Sequence, residues 1–215
     1  MRTILAFILL AVLGVAGAHP DHGDNGDAGK VFMFIPEGSR DLELMLREEV
    51  NVMRRMLGDA GYGVDIATAD GRPLRADGIT VRPTVQLKNV NVEDYAGIII
   101  PCMAPAPGSE STPDAVTAIV ERAVELGKPV AASRGSVGTL AKAGALVGKE
   151  YAYASAVDTS KRPEFAGGNY LGIGVVRDGN ISTAGICPLA ARSLGEPDGT
   201  VELTENFIES LSDAD

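Results

Sequence analysis

Lys30-Val31-Phe32-Met33-Phe34-Ile35-Pro36 is apolar at every position after its first, and it has the length of a strand. A strand with one wet face alternates polar and apolar residues, so an unbroken apolar run predicts a strand covered on both faces, as in a parallel sheet. Downstream of Glu37-Gly38-Ser39-Arg40-Asp41, the residues Leu42, Leu46, Val50, Met53 and Leu57 recur at spacings of three and four. That is helical periodicity. Gly61 and Gly63 bracket the helix end, and Val64 to Thr68 reads as a second strand, which completes a strand-helix-strand unit.

The same alternation continues along the chain. Turn signals at Asp70-Gly71 and Asp77-Gly78, interleaved with Ile79, Val81 and Val85, predict a hairpin or edge excursion between Gly71 and Leu87. Ile98-Ile99-Ile100-Pro101 is another fully apolar strand. Ser111 or Thr112 is placed to cap a helix with Pro113 in its first turn, and the rows Ala115, Ile119, Ala123 and Val116, Val120, Val124 make its broad apolar face. Pro129 to Ala132 is a short buried strand ending at Ser133-Arg134-Gly135, ahead of a helical segment from Val137 to Leu146. Extended segments follow at Tyr151–Ala156, Gly172–Val176 and Asn180–Ala184, the last two joined by the Arg177-Asp178-Gly179 turn. Leu203, Phe207 and Leu211 mark a closing helix. Strands alternating with helices predict one α/β domain: a doubly wound, mostly parallel sheet covered on both faces.

Upstream of residue 30 the chain is of another kind. Arg2 precedes an apolar run from Ile4 to Ala18 that ends in Ala16-Gly17-Ala18, the form of a cleavable export signal over residues 1–18. Residues 19–29 are polar and glycine-rich with nothing to bury, a disordered leader; the α/β domain takes residues 30–215. This predicts a protein in the periplasm or outside the cell, with no stable membrane anchor after cleavage. Both histidines, His19 and His22, lie in the leader. A new N-terminal His19 with His22 or Asp21 is a weak candidate for a copper-like ion, against a plain solvated tail. No metal site is expected in the domain, and no cofactor.

The net charge is −10, and one unit more negative once Arg2 is removed. That argues against nucleic acid and anionic lipid as partners, since both are held by clustered cations. Cys102 and Cys187 are the two cysteines, too few for a disulfide scaffold.

In a sheet of this class the ligand crevice lies beyond the carboxyl ends of the strands. Those ends are residues 36–43, Cys102 and Met103, Ser133 to Gly135, and residues 185–188. Ala131-Ala132-Ser133-Arg134-Gly135 has the small-x-nucleophile-x-small form of a strand-to-helix elbow. Four features together resemble the ThiJ/PfpI family of the class I glutamine amidotransferase-like, flavodoxin-like fold, whose members include protein deglycases, glyoxalases and intracellular peptidases. They are Gly38 followed by Glu43; Asp94-Tyr95 before the Ile-rich strand ending in Pro101; the elbow after Pro129-Val130-Ala131-Ala132; and Arg177-Asp178-Gly179-Asn180 before Ile181-Ser182-Thr183. The resemblance spans Lys30 to Pro188.

What the resemblance implies is an altered site. Ser133 stands where the family has its reactive cysteine, Tyr151 or Tyr153 where many members have a histidine, and Cys102 and Met103 where paired glycines are usual. Glu43 matches the family glutamate beside the nucleophile. Because no histidine follows His22, a serine-histidine-acid triad cannot form within the domain. The pocket is expected to involve Cys102, Met103, Arg134, Gly135, Cys187 and Pro188, and to take a small-molecule ligand in an inactive or atypical member with a stress-related role. A hydrolase or deglycase-like enzyme using Ser133 with Glu43 is one alternative. Another is a thiol-disulfide element, because the resemblance places Cys102 and Cys187 around one pocket, within reach of a disulfide. A homodimer is the family's usual state.

Overall fold

The computed structural model describes residues 28–105, 112–154 and 158–214. The signal segment, most of the leader with His19 and His22, and the helix-capping candidate Ser111 lie outside the described residues.

Strand β1 (Lys30–Phe34) is buried from Val31 onward, as its unbroken apolar run requires. The helix after it opens at α1 (Leu42–Met45), where the Asp41 side chain accepts the Leu44 N–H at 3.1 Å. It widens into a π turn (Leu46–Val50) and continues as α2 (Asn51–Asp59). β2 (Gly63–Ala67) follows, then the hairpin β3 (Leu74–Ala76) and β4 (Ile79–Val81), turning on Asp77-Gly78 as the turn signals predict. Next come β5 (Gly97–Ile100), α3 (Asp114–Glu125), β6 (Val130–Ser133) and α4 (Val137–Lys142). The last third holds β7 (Glu150–Ala152), β8 (Asn169–Gly172), β9 (Val175–Asp178), β10 (Ile181–Ala184), α5 (Pro188–Leu194) and α6 (Thr200–Asp213).

Six strands form the central sheet in the order β2-β1-β5-β6-β10-β9; every pairing is parallel except β10 with β9. The pleat divides the core in two. Met33, Ile99, Ala131 and Ala184 face the helix after β1 and α6, which contributes Leu203, Phe207 and Leu211. Phe32, Phe34, Ile98, Ile100, Val130 and Ala132 face α3 and α4. The sheet is therefore mostly parallel and doubly wound in one domain.

Local expectations change in four places. Ala115 is exposed, because α3 turns Val116, Ile119, Val120 and Ala123 inward. Pro113 occupies the N-cap position itself, with no capping side chain, and Thr112 accepts a hydrogen bond from the Thr139 hydroxyl at 3.2 Å instead. The stretch around Gly172 is two strands: β8 leaves the main sheet and pairs in parallel with β7, and β9 alone pairs with β10. Residues after Cys187 form α5, with Pro188 in the first turn, where its missing N–H costs nothing.

Candidate functional site

Four chain segments converge beyond the carboxyl ends of β5, β6 and β10. The first is the π turn, where Glu49 is wholly buried while its neighbour Glu48 faces out and pairs with Arg192 at 2.6 Å. Extra turns of this kind inside α-helices are frequent at functional sites. Glu49 Oε2 accepts the backbone N–H groups of Cys102 at 3.1 Å and Met103 at 3.2 Å. Its carboxyl also lies beside the Ser133 hydroxyl, although neither Glu49 Oε1 nor Ser133 Oγ has a partner with good hydrogen-bond geometry. Burial pushes the Glu49 pKa up to about 8; a negative charge on Cys187 would add to the rise, and Ser133 and the two amides oppose it. At neutral pH this carboxyl is a neutral acid with both backbone donors on Oε2, which leaves its proton on Oε1.

Glu43 does not take this place. It lies in the first turn of α1 on the solvent side, in contact with Arg47, with its side chain 38% exposed. The glutamate beside Ser133 is Glu49. The apolar row carried a signal for it, since Glu49 stands three residues after Leu46 and four before Met53, on the buried stripe.

The elbow is also displaced by one residue. Ser133 is the last residue of β6, extended at φ −101° and ψ 132°, with its side chain wholly buried under the sheet on the Glu49 side. The next residue, Arg134, has φ 39°. A nucleophile elbow presents the residue at the strained position of the strand-to-helix turn, and here that residue is an arginine. Met103 and Ala104 have φ 53° and 43°, so the three non-glycine residues with positive φ among the described residues all sit here. Such conformations cost about 1 to 3 kcal/mol each, and they cluster at functional sites. Ser136 Oγ ties the elbow to β5 by donating to the Pro101 carbonyl at 2.7 Å. Arg134 Nη1 donates to the Gly185 carbonyl at 3.0 Å, which ties it to the exit of β10.

The two thiols meet in the middle. Cys102 and Cys187 are free and buried, 2% and 1% exposed, and their side chains are neighbours in one core cluster. The neighbouring Cys187 sulfur and burial hold the Cys102 pKa well above its usual value, and a negative charge on Glu49 would add to the rise. The neighbouring Cys102 thiol lowers Cys187 to about 7; burial opposes it, while the amides of Ala190 and Leu189 and the Arg134 guanidinium assist. Gly135 covers the pair from the exposed side, since a Cβ there would sit 3.6 Å from Cys102 Sγ. Pro188 is buried behind Cys187 at the start of α5.

The tyrosines expected in place of a histidine separate. Tyr151 is core, packed on Phe165 and Tyr170. Tyr153 reaches the site margin, with its hydroxyl 3.7 Å from where a Cβ on Gly138 would lie; burial raises its pKa, against the nearby Arg162. The assembled chemistry is a neutral acid, a pair of thiols and an arginine at the elbow.

A family model described as the DJ-1/PfpI family matches residues 29–190. Among solved structures, a ThiJ/PfpI domain protein from Brachyspira murdochii is 14% identical with a TM-score of 0.63, covering 86% of this chain and 97% of its own. DJ-1beta of Drosophila melanogaster is 20% identical with a TM-score of 0.55, covering 86% and 95%. A DJ-1 superfamily protein of Agrobacterium tumefaciens is 20% identical with a TM-score of 0.57, covering 86% and 99%. No curated protein sequence matches the chain.

Proposed function

The chain belongs to the DJ-1/PfpI family, and from that premise we propose that it is an inactive or atypical member, an exported domain whose pocket binds a small molecule without acyl transfer. The observation that carries this reading is Arg134 at the strained elbow position. An arginine stays protonated at any physiological pH and cannot attack a carbonyl. Ser133, the alternative nucleophile, is sealed in the sheet beside a carboxyl group that is itself protonated at neutral pH and so is no base.

Ester, amide and glyoxal substrates test this with the wild-type protein, Ser133→Ala and Arg134→Cys. Wild type and Ser133→Ala should both stay at the uncatalysed rate. Arg134→Cys should gain a thiol at the elbow that reacts with iodoacetamide at least tenfold faster than either wild-type cysteine. Turnover by the wild type that disappears in Ser133→Ala would overturn the reading in favour of a hydrolase.

Export is supported by the basic residue, apolar run and small-x-small ending of residues 1–18. Among the described residues no helix is long and apolar enough to cross a membrane. N-terminal sequencing of the protein made from the full gene should read His19 first in the exported fraction. A chain retained in the cytoplasm with Arg2 intact would remove this part of the proposal.

A further inference from the structure

Residues 102 and 187 come from loops at the ends of different strands, and the sheet order places β6 between those strands. Their side chains nonetheless meet beneath the elbow, buried as neighbours in one core cluster beside Arg134, Gly135 and Glu49. Two neighbouring buried thiols, a cation within reach of one of them and a neutral carboxylic acid alongside make a chemical unit that the reading above does not use. We propose that Cys102 and Cys187 are a redox-active dithiol that hydrogen peroxide converts to an intramolecular disulfide.

The arrangement assigns separate roles. Cys187 lies against Cys102 and faces the Arg134 cation, so it is the sulfur that carries negative charge and attacks first. Its thiolate bonds to one peroxide oxygen; the O–O bond breaks, and the departing hydroxide takes up a proton to leave as water. Cys187 is then a sulfenic acid, oxidised by two electrons, and the peroxide is reduced. The Cys102 sulfur next attacks the Cys187 sulfur; the S–S bond forms, the S–O bond breaks, and the Cys102 proton leaves with the hydroxide as a second water. The sum is two thiols and one peroxide giving one disulfide and two waters. Exposures of 2% and 1% leave no room for a tripeptide disulfide to approach in line, which favours an oxidant the size of water.

The proposal goes beyond ligand binding and stands whether or not the pocket holds a ligand. The test treats the folded, reduced protein with a small excess of hydrogen peroxide and follows it by intact mass, thiol titration after denaturation, and peptide mapping. Loss of both titratable thiols, a mass decrease of two hydrogens, a linked peptide pair carrying Cys102 and Cys187, and recovery by dithiothreitol are expected. In Cys102→Ser the reaction should stop after the first step, and dimedone should label the Cys187 sulfenic acid; in Cys187→Ser, Cys102 should stay unlabelled under the same conditions. Two intact thiols in folded wild type, or oxygen added to either cysteine with no linked pair, would overturn the proposal. Circular dichroism of each variant confirms that it is folded before it is scored.

Discussion

Glu49→Gln is expected to abolish a pH-dependent loss of stability worth on the order of 4 to 5 kcal/mol in the wild-type protein. The Glu49 carboxyl titrates at about 8 in the folded chain against 4.5 when unfolded. Between those two values the unfolded state releases a proton that the folded state keeps. Stability is therefore fully present below about pH 4.5, falls as pH rises, and levels off once pH passes about 8. A rise of about 3.5 units corresponds to the stated energy at 1.36 kcal/mol per unit.

Glutamine keeps an oxygen for the Cys102 and Met103 amides and turns its NH₂ toward Ser133, so the neutral state is imitated and the charged one removed. Urea unfolding at pH 4.5 should give the two proteins stabilities within about 1 kcal/mol of each other. At pH 9 the variant should be more stable by several kcal/mol, a melting temperature roughly 10 to 20 °C higher. The opposite shift of Cys187 acts in both proteins and largely cancels in the difference. Parallel pH–stability curves would show that the carboxyl is charged in the folded state, and would undo the description of the site as holding a neutral acid.

Gly185→Ala should be the most damaging single methyl in the described chain. A Cβ at Gly185 would lie 2.5 Å from the carbonyl oxygens of both Ile173 and Tyr153, and 2.6 Å from the Ile173 Cα. All three are backbone atoms on neighbouring segments, so no side-chain rotation relieves the clash. Gly185 itself is held by its N–H to the Gly174 carbonyl at 2.9 Å and by the Arg134 guanidinium on its own carbonyl. The cost should reach about 3 kcal/mol or more, above ordinary overpacking, in which side chains can move. Gly174→Ala is the matched control, since nothing lies within 4 Å of its added Cβ; it should stay within about 1 kcal/mol of wild type. Because Gly185 leads directly to Cys187, thiol pairing should weaken together with stability. Equal, small effects at both glycines would mean the segments are free to separate.

Periodicity was enough to read the architecture. The apolar runs Val31–Ile35 and Ile98–Ile100, the three-and-four spacing from Leu46 to Leu57 and the Leu203, Phe207, Leu211 row are local patterns whose period identifies strand or helix, and their alternation implies a parallel sheet. The place where strands end was legible too, and the structure brings Cys102, Ser133, Arg134 and Cys187 together there. Which of two neighbouring residues faces inward was not legible. Glu48 and Glu49 are adjacent and identical, and a π turn decides which one is buried. Ser133 and Arg134 are adjacent as well, and the φ of 39° at Arg134 decides which one heads the elbow.

By itself the sequence determined a doubly wound α/β domain, the absence of any histidine beyond His22 and so of a triad base, and two cysteines at strand ends. Only the tertiary structure decided that Glu49 and not Glu43 meets Ser133, that an arginine occupies the strained turn, and that the two thiols are neighbours. The physical reason is one of range. Strand and helix periods repeat over many residues, so packing can alter a single position without erasing the pattern. The direction of one side chain depends on one turn's dihedral angles, and those are set by the segments packed against it.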